Sequence, residues 1–307
     1  MNSLPAAILE RVYEILLNIM KILLLLLFPF ISFGQVFYSG VIVNKETKQG
    51  IPFATVGLIK QNIGTNADEG GHFKFNSNSS KLDTFIVSSV GYETSKIPVD
   101  KVSSFIQFEL QPKEATLKEV VVVSNYNWKS TTLGKYSNCG SHYYTTSNAI
   151  NQVARHFRAT NANSHLSEIE ICKYGIAVID PARTKFRVRI YSMDMLTQAP
   201  SKDLCDSIIE LDVTGRRIKV NLEKYHITIP DKDFFVAVEW LRIPLNEEKN
   251  KSKFGGDKKI IYSSYSPLLA IKENLNDNSD LECWQLDYTG KWRPFRWTLM
   301  ISATVKY

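Results

Sequence analysis

From residue 36 onward, hydrophobic and polar positions mostly alternate with a period of two. Val36–Asn44 alternates and is β-branched, and Phe53–Ile59 reads as a second strand. His72–Phe75 puts Phe73 and Phe75 on one face, Thr84–Val90 is almost wholly apolar, and Phe105–Leu110 alternates again. Lys45–Gly50 and Asn66–Gly71 are polar turns between them, and Gly91-Tyr92 closes the apolar strand. Short strands at this spacing, with Gly- and Asp-rich turns, predict a β-sandwich over residues 35–112. Residues 113–132 read as a linker carrying one strand, Glu119–Ser124.

The same period returns in a second domain, residues 133–307. Leu166–Tyr174 alternates. So does Phe186–Tyr191, whose Phe186, Val188 and Ile190 are expected to face a core while Arg187 and Arg189 face out. Ile208–Val213, Arg217–Leu222, His226–Ile229, Trp284–Tyr288 and Trp297–Tyr307 read as strands, and Phe234–Ile243 is the most apolar. Ile260–Ser264 and Leu268–Lys272 read as two strands flanking a turn at Pro267. One segment follows another rule. Ile150, Val153, Ala154 and Phe157 are spaced for one helical face, and Ser147 is an apt N-cap, which predicts a short helix over Ser147–Arg158. Many strands and one short helix predict a jelly-roll-like sandwich.

The N-terminus departs from both patterns. Lys21 precedes the apolar run Ile22–Ile31, and Ser32-Phe33-Gly34 supplies small residues at both positions of a small-x-small site. This is the layout of a secretory signal over residues 1–34, with 1–19 an over-called start if Met20 initiates. Retention of residues 12–33 as a single membrane anchor is the alternative. Either reading places the remainder outside the cytoplasm, in the periplasm or at the cell surface.

Three motifs in order carry a resemblance: Ser39-Gly40-Val41-Ile42-Val43, Gly50-Ile51-Pro52-Phe53-Ala54-Thr55-Val56 and Gly64–Phe73. Ser89-Val90-Gly91-Tyr92-Glu93 and Leu117–Val122 complete it. Together they resemble the carboxypeptidase-D regulatory-like domain, a module of exported Bacteroidetes-type proteins. The resemblance implies a transthyretin-like seven-strand sandwich. It implies no peptidase activity, since the module is an accessory to catalytic domains. Lys185–Tyr191, Asp203-Leu204 and Phe234–Trp240 are similar to uncharacterised C-terminal sandwiches that accompany the module.

The net charge of +6 is unevenly placed. Residues 1–34 and 36–112 are neutral, and the second domain carries most of the excess. Lys249, Lys251, Lys253, Lys258 and Lys259 form a basic loop, read as a hairpin tip, with acidic glycan or lipid headgroups as the alternative contact. Nucleic acid is not an expected partner of an exported chain. Cys139, Cys172, Cys205 and Cys283 lack C-x-x-C spacing; four buried thiols are the default and one disulfide the alternative.

Catalytic signatures are absent from the sequence: it holds neither H-E-x-x-H nor G-x-S-x-G. His165-Leu166-Ser167-Glu168 matches H-x-x-E, the ligand pair of zinc carboxypeptidases. In a strand, however, positions i and i+3 point to opposite faces. Asp68 and Glu69 read as a solvated acidic turn rather than a cation site. No cofactor, metal site or catalytic residue is therefore expected. The best binding candidate is the aromatic hairpin Cys283–Trp297, with Trp284, Tyr288, Trp292, Arg293 and Trp297 as a sugar-stacking face and Thr289-Gly290-Lys291 as its turn. The alternative is that these rings fill the core. The expected function is a non-catalytic binding or adaptor protein of the cell envelope, with a glycan or an envelope protein as partner. A structural spacer is the second expectation and a metallocarboxypeptidase-like hydrolase the third.

Overall fold

The computed structural model describes residues 6–27, 35–78, 82–99, 105–114, 128–146, 149–174, 183–253, 259–273 and 282–307. These fall into two compact units, Met1–Phe37 with Asn76–Ser80, and Tyr38–Phe75 with Lys81–Tyr307. The chain is all-β apart from one long helix and short 3-10 turns among the described residues.

The smaller unit contains the helix Ala6–Leu27, whose Tyr13, Ile15, Leu16, Ile19, Met20 and Ile22 are exposed. Among the described residues no helix is long and apolar enough to cross a membrane. The expected cleavage site at residues 32–34 lies outside the described residues, as does the Glu119–Ser124 strand.

The larger unit begins with the predicted sandwich. Seven strands are present between residues 35 and 110, in a three-stranded and a four-stranded sheet. The first and last, Gln35–Asn44 and Phe105–Leu110, pair in parallel at the centre and edge of the smaller sheet. Sequence alone missed Ile63–Asn66 and Ser95–Pro98, which are short and polar. The core is aromatic: Phe85 lies between Tyr38 (5.0 Å) and Phe108 (5.2 Å), and Phe73 stacks on Phe108. Phe53 does not begin a strand. It sits in a turn at φ +54°, a left-handed conformation that costs a non-glycine residue about 1–3 kcal/mol.

The remaining sheets have seven, five and four strands. Phe186, Val188 and Ile190 pack in the main core with Phe234, Val236, Val238 and Trp240, opposite Ile169 and Ile171. Three expectations are corrected here. The helix expected over Ser147–Arg158 is not found in its described residues: Ile150–Arg158 is a strand between Asp233–Trp240 and Cys283–Asp287. Asn151, Gln152, Val153 and Ala154 are all buried, so both faces of this strand are covered. A strand buried on both faces loses its alternation, and three- and four-residue apolar spacings then arise without a helix.

Pro267 does not separate two strands. Lys259–Glu273 is continuous, and the proline occupies a register shift between Tyr265 and Leu269, where its missing N–H is tolerated. Finally, the cysteines are not four free thiols: Cys139 and Cys172 form a disulfide, while Cys205 and Cys283 are free and buried.

Candidate functional site: the aromatic hairpin and the seam between sandwiches

The hairpin forms as expected. Cys283–Asp287 pairs with Trp292–Phe295, Gly290 takes φ +76° in the turn, and Asp287 Oδ1 accepts the Thr289 amide at 2.9 Å. Its aromatic residues are nevertheless dispersed. Trp284 is buried with Ala154, Tyr191, Phe235 and Ala237, and half-buried Trp292 leans on Tyr191 at 5.5 Å. Trp297 packs against Phe295 and Tyr144 beside the main core. Arg293 alone is well exposed, its side chain 59% accessible, and it pairs with Asp287 at 3.2 Å. Tyr288 is buried elsewhere, against the first sandwich. The five residues do not form a common exposed stacking face: Trp284 and Trp292 pack into one cluster around Tyr191, Trp297 joins the main core and Tyr288 meets the first sandwich.

Tyr288 marks a site that the sequence reading did not assign. Gly57 and Gly64 are cross-strand partners in the first sandwich, leaving a flat notch in its sheet. The Tyr288 ring fills it: a Cβ added at Gly57 would lie 2.7 Å from Tyr288 Cδ1, and one at Gly64 2.6 Å from the same atom. The Tyr288 amide donates to Asn62 Oδ1 at 3.0 Å. Burial raises the phenol pKa, so the hydroxyl stays neutral.

Two arginines complete this seam. Arg187, expected to face solvent, is 2% exposed. It does occupy the opposite face from Phe186, but the first sandwich covers that face. Arg187 donates to the carbonyls of Pro52 (3.0 Å) and Phe53 (3.2 Å), and its guanidinium lies 5.6 Å from the Phe53 ring centroid. Lys185 Nζ sits over the same ring at 4.8 Å and reaches Glu69 at 3.3 Å. The left-handed turn at Phe53 thus aims two carbonyls and one ring at two cations.

Arg242 spans the seam from the other side. Its amide donates to Asn66 Oδ1 (2.9 Å) and its guanidinium to Gly64 O (2.8 Å), Thr146 Oγ1 and Ile150 O (3.2 Å each). The same group stacks over Tyr288 at 4.8 Å. Between the arginines, Thr55 Oγ1 donates to buried Glu239 at 3.4 Å, and Arg189 pairs with Glu239 and Asp203.

A cleft of about 510 Å³ opens beside Arg242. Ser39, Lys74 and Phe105 line it from the first sandwich, and Ile243, Glu247 and Tyr265 from the larger one.

The remaining candidates have structural partners. Asp68 Oδ1 accepts the amides of Gly70 (2.9 Å) and His72 (2.8 Å), closing the acidic turn. His165 and Glu168 lie on the strand Ser164–Cys172, where His165 Nδ1 is 3.3 Å from Thr228 Oγ1 and Trp128 packs edge-on. Burial and nearby His226 lower the His165 pKa. Among the described residues no group of three His, Cys, Asp or Glu side chains is placed to hold a metal ion. The basic loop lies partly outside the described residues.

Comparison with curated proteins returned no match. Among solved structures, the Clostridial cysteine protease Cwp84, in a form obtained after propeptide cleavage, aligns with a TM-score of 0.37 at 12% identity. The alignment covers 75% of this chain and 52% of that one, so the chain spans about half the protease's length. The informative match is to a family, over the residues whose glycine notch and Phe53 turn build the seam: residues 38–122 are a CarboxypepD_reg-like domain.

Proposed function

We propose that this chain is an exported, non-catalytic adaptor of the cell envelope, in which the regulatory-like module is locked onto a larger β-sandwich so that the pair acts as one rigid body. The observation that carries this reading is the seam. Two buried arginines from the larger sandwich bond four backbone carbonyls and pack on two aromatic rings. Charge-assisted hydrogen bonds of this kind each contribute about 1.5–3 kcal/mol, and a buried carbonyl left unpaired costs about 1–3 kcal/mol. A mobile accessory module would not need them.

The Cys139–Cys172 disulfide supports export, because such bonds persist in oxidising compartments. The apolar N-terminal segment supports the same address, either as a cleaved signal or as a retained anchor. Burial of Trp284 and Tyr288 favours a second reading, a structural spacer whose rings hold the assembly together rather than bind a ligand.

The two readings part on partner capture. Full-length protein, immobilised and exposed to solubilised envelope, should retain a partner that Arg187→Ala releases. A spacer would depend on the same seam for its shape yet retain no partner. Fractionation of expressing cells tests the address, and recovery of reduced, unprocessed protein in the cytoplasm would refute it.

A further inference from the structure

The cleft beside Arg242 lies next to the interlock, and the Tyr265 ring, 5.6 Å from the Arg242 guanidinium, joins the two. The cleft's apolar lining includes exposed Phe105 from the module and Ile243 and Pro244 from the larger sandwich. The polar lining includes Ser39, His72 and Lys74 from the module and Glu247 and Tyr265 from the larger sandwich. Arg242, the remaining cation, is committed to Gly64, Thr146 and Ile150 and forms a fixed wall. We propose that this cleft binds a neutral saccharide, a reading that rests on the rigid docking of the two sandwiches since each supplies one wall.

The lining charges support the choice of ligand. Two acids, Asp68 and Glu247, stand against Lys74 and Arg242, with His72 beside Asp68, so neither sign of formal charge predominates in the lining to select an anion or a cation. What it offers is a mixture of donors and acceptors over an apolar surface. That mixture matches a sugar ring, which has hydroxyls at its rim and C–H groups on its face. Glu247 and Tyr265 are cross-strand partners, which places their side chains side by side.

Glu247 takes the Ser263 hydroxyl on one oxygen at 2.6 Å. A carboxylate accepts up to about four hydrogen bonds, so most of its capacity remains. Burial, with Glu247 adding to it, raises the Tyr265 pKa and keeps its hydroxyl a donor at neutral pH. The volume falls within the range of about 300–1,000 Å³ typical of small-ligand sites, which concentrate between packed domains.

Calorimetric titration of the full chain tests the proposal, with neutral hexasaccharides (cello-, xylo-, laminari- and maltohexaose), an oligogalacturonate and a chitosan hexamer as probes. At least one neutral probe should bind. Glu247→Gln and Tyr265→Phe should each weaken it about tenfold or more, the effect of losing one hydrogen bond to a charged or buried polar group. Lys74→Ala, at an exposed position, should weaken it less, and Trp292→Ala and Arg293→Ala should leave it unchanged.

Three results would overturn the proposal: no neutral probe binding, preference for the charged probes, or binding insensitive to both Glu247→Gln and Tyr265→Phe. Calorimetric unfolding of the same samples separates this failure from that of the adaptor reading. A single transition with no saccharide binding removes the cleft assignment alone, whereas independent unfolding of the two sandwiches in the wild type removes both.

Discussion

Arg187→Ala is the sharpest perturbation of the seam. The side chain is buried, and its removal strands the carbonyls of Pro52 and Phe53 and abolishes the contact with the Phe53 ring. A buried acceptor left without a partner costs about 1–3 kcal/mol. Glu210, 3.5 Å from Arg187 Nε, is partly exposed and recovers water, so its contribution is small. Pro52 is exposed and its carbonyl recovers water, so the Phe53 carbonyl (about 1–3 kcal/mol) and the ring contact (about 0.5–2 kcal/mol) dominate and sum to about 1.5–5 kcal/mol, a large share of the roughly 5–15 kcal/mol available to a folded protein. For a unit of this size each kcal/mol shifts Tm by about 2 °C, so a fall of about 3–10 °C is expected.

The shape of the thermogram matters more than the midpoint. The wild type should unfold in one calorimetric transition, and Arg187→Ala should split it, because the left-handed turn at Phe53 then loses what holds it. Arg187→Lys keeps the charge but not the planar fork that reaches two carbonyls, and should fall between. A Phe53→Leu and Arg187→Ala cycle should show coupling above about 0.5 kcal/mol. Additive effects, with a Tm loss under about 2 °C, would refute the claim that this arginine locks the module.

Further outcomes follow from the same structure. Gly64→Ala drives a methyl into the Tyr288 ring and should cost about 1–3 kcal/mol in urea melts; no loss would mean the ring does not fill the notch. Trp284→Ala should cost about 3–5 kcal/mol and Trp292→Ala clearly less, since only Trp284 is fully packed, and equal losses would contradict that burial. Cys139→Ser with Cys172→Ser opens a loop of 33 residues and should cost up to about 3–4 kcal/mol, checked against reduced wild type in urea. Cys205 and Cys283 should resist a thiol reagent until unfolding. Burial raises both pKa values, that of Cys283 to about 12 from 9.0, so the unfolded chain ionises first as pH rises. The stability from Cys283 should therefore be intact below pH 9 and fall between pH 9 and 12, by up to about 1.4 kcal/mol per pH unit, and Cys283→Ala should flatten that fall.

The seam was only partly legible in the sequence, and the reason is physical. Alternation reports which side of a strand a residue occupies, and it placed Arg187 correctly opposite Phe186 and Val188. It cannot report what lies over that side. In Phe186–Tyr191 the far face meets another sandwich instead of water, so residues that resemble a solvated stripe become an interlock. Ile150–Arg158 shows the same effect more strongly, since covering both faces erased the period and left a helical spacing. The hairpin at Thr289-Gly290-Lys291 was readable because a turn is decided locally, by Gly290 and Asp287. The destinations of its aromatic rings were not, because they depend on which distant residues cover each face of the hairpin.

One signal for the seam was nonetheless present. Gly57 and Gly64 interrupt two strands with residues that weaken a sheet, which is sensible only where something approaches the backbone closely. Their pairing across two strands, with an aromatic residue arriving from the other sandwich, turns a local weakness into a socket. Arg242 then reads the socket's rim through Gly64 O while stacking on the ring that fills it. The glycine pair, the left-handed Phe53 and the two buried arginines are each unfavourable alone. They become favourable together only when the module is docked, and this makes the docked pair, rather than either sandwich, the unit on which function should be sought.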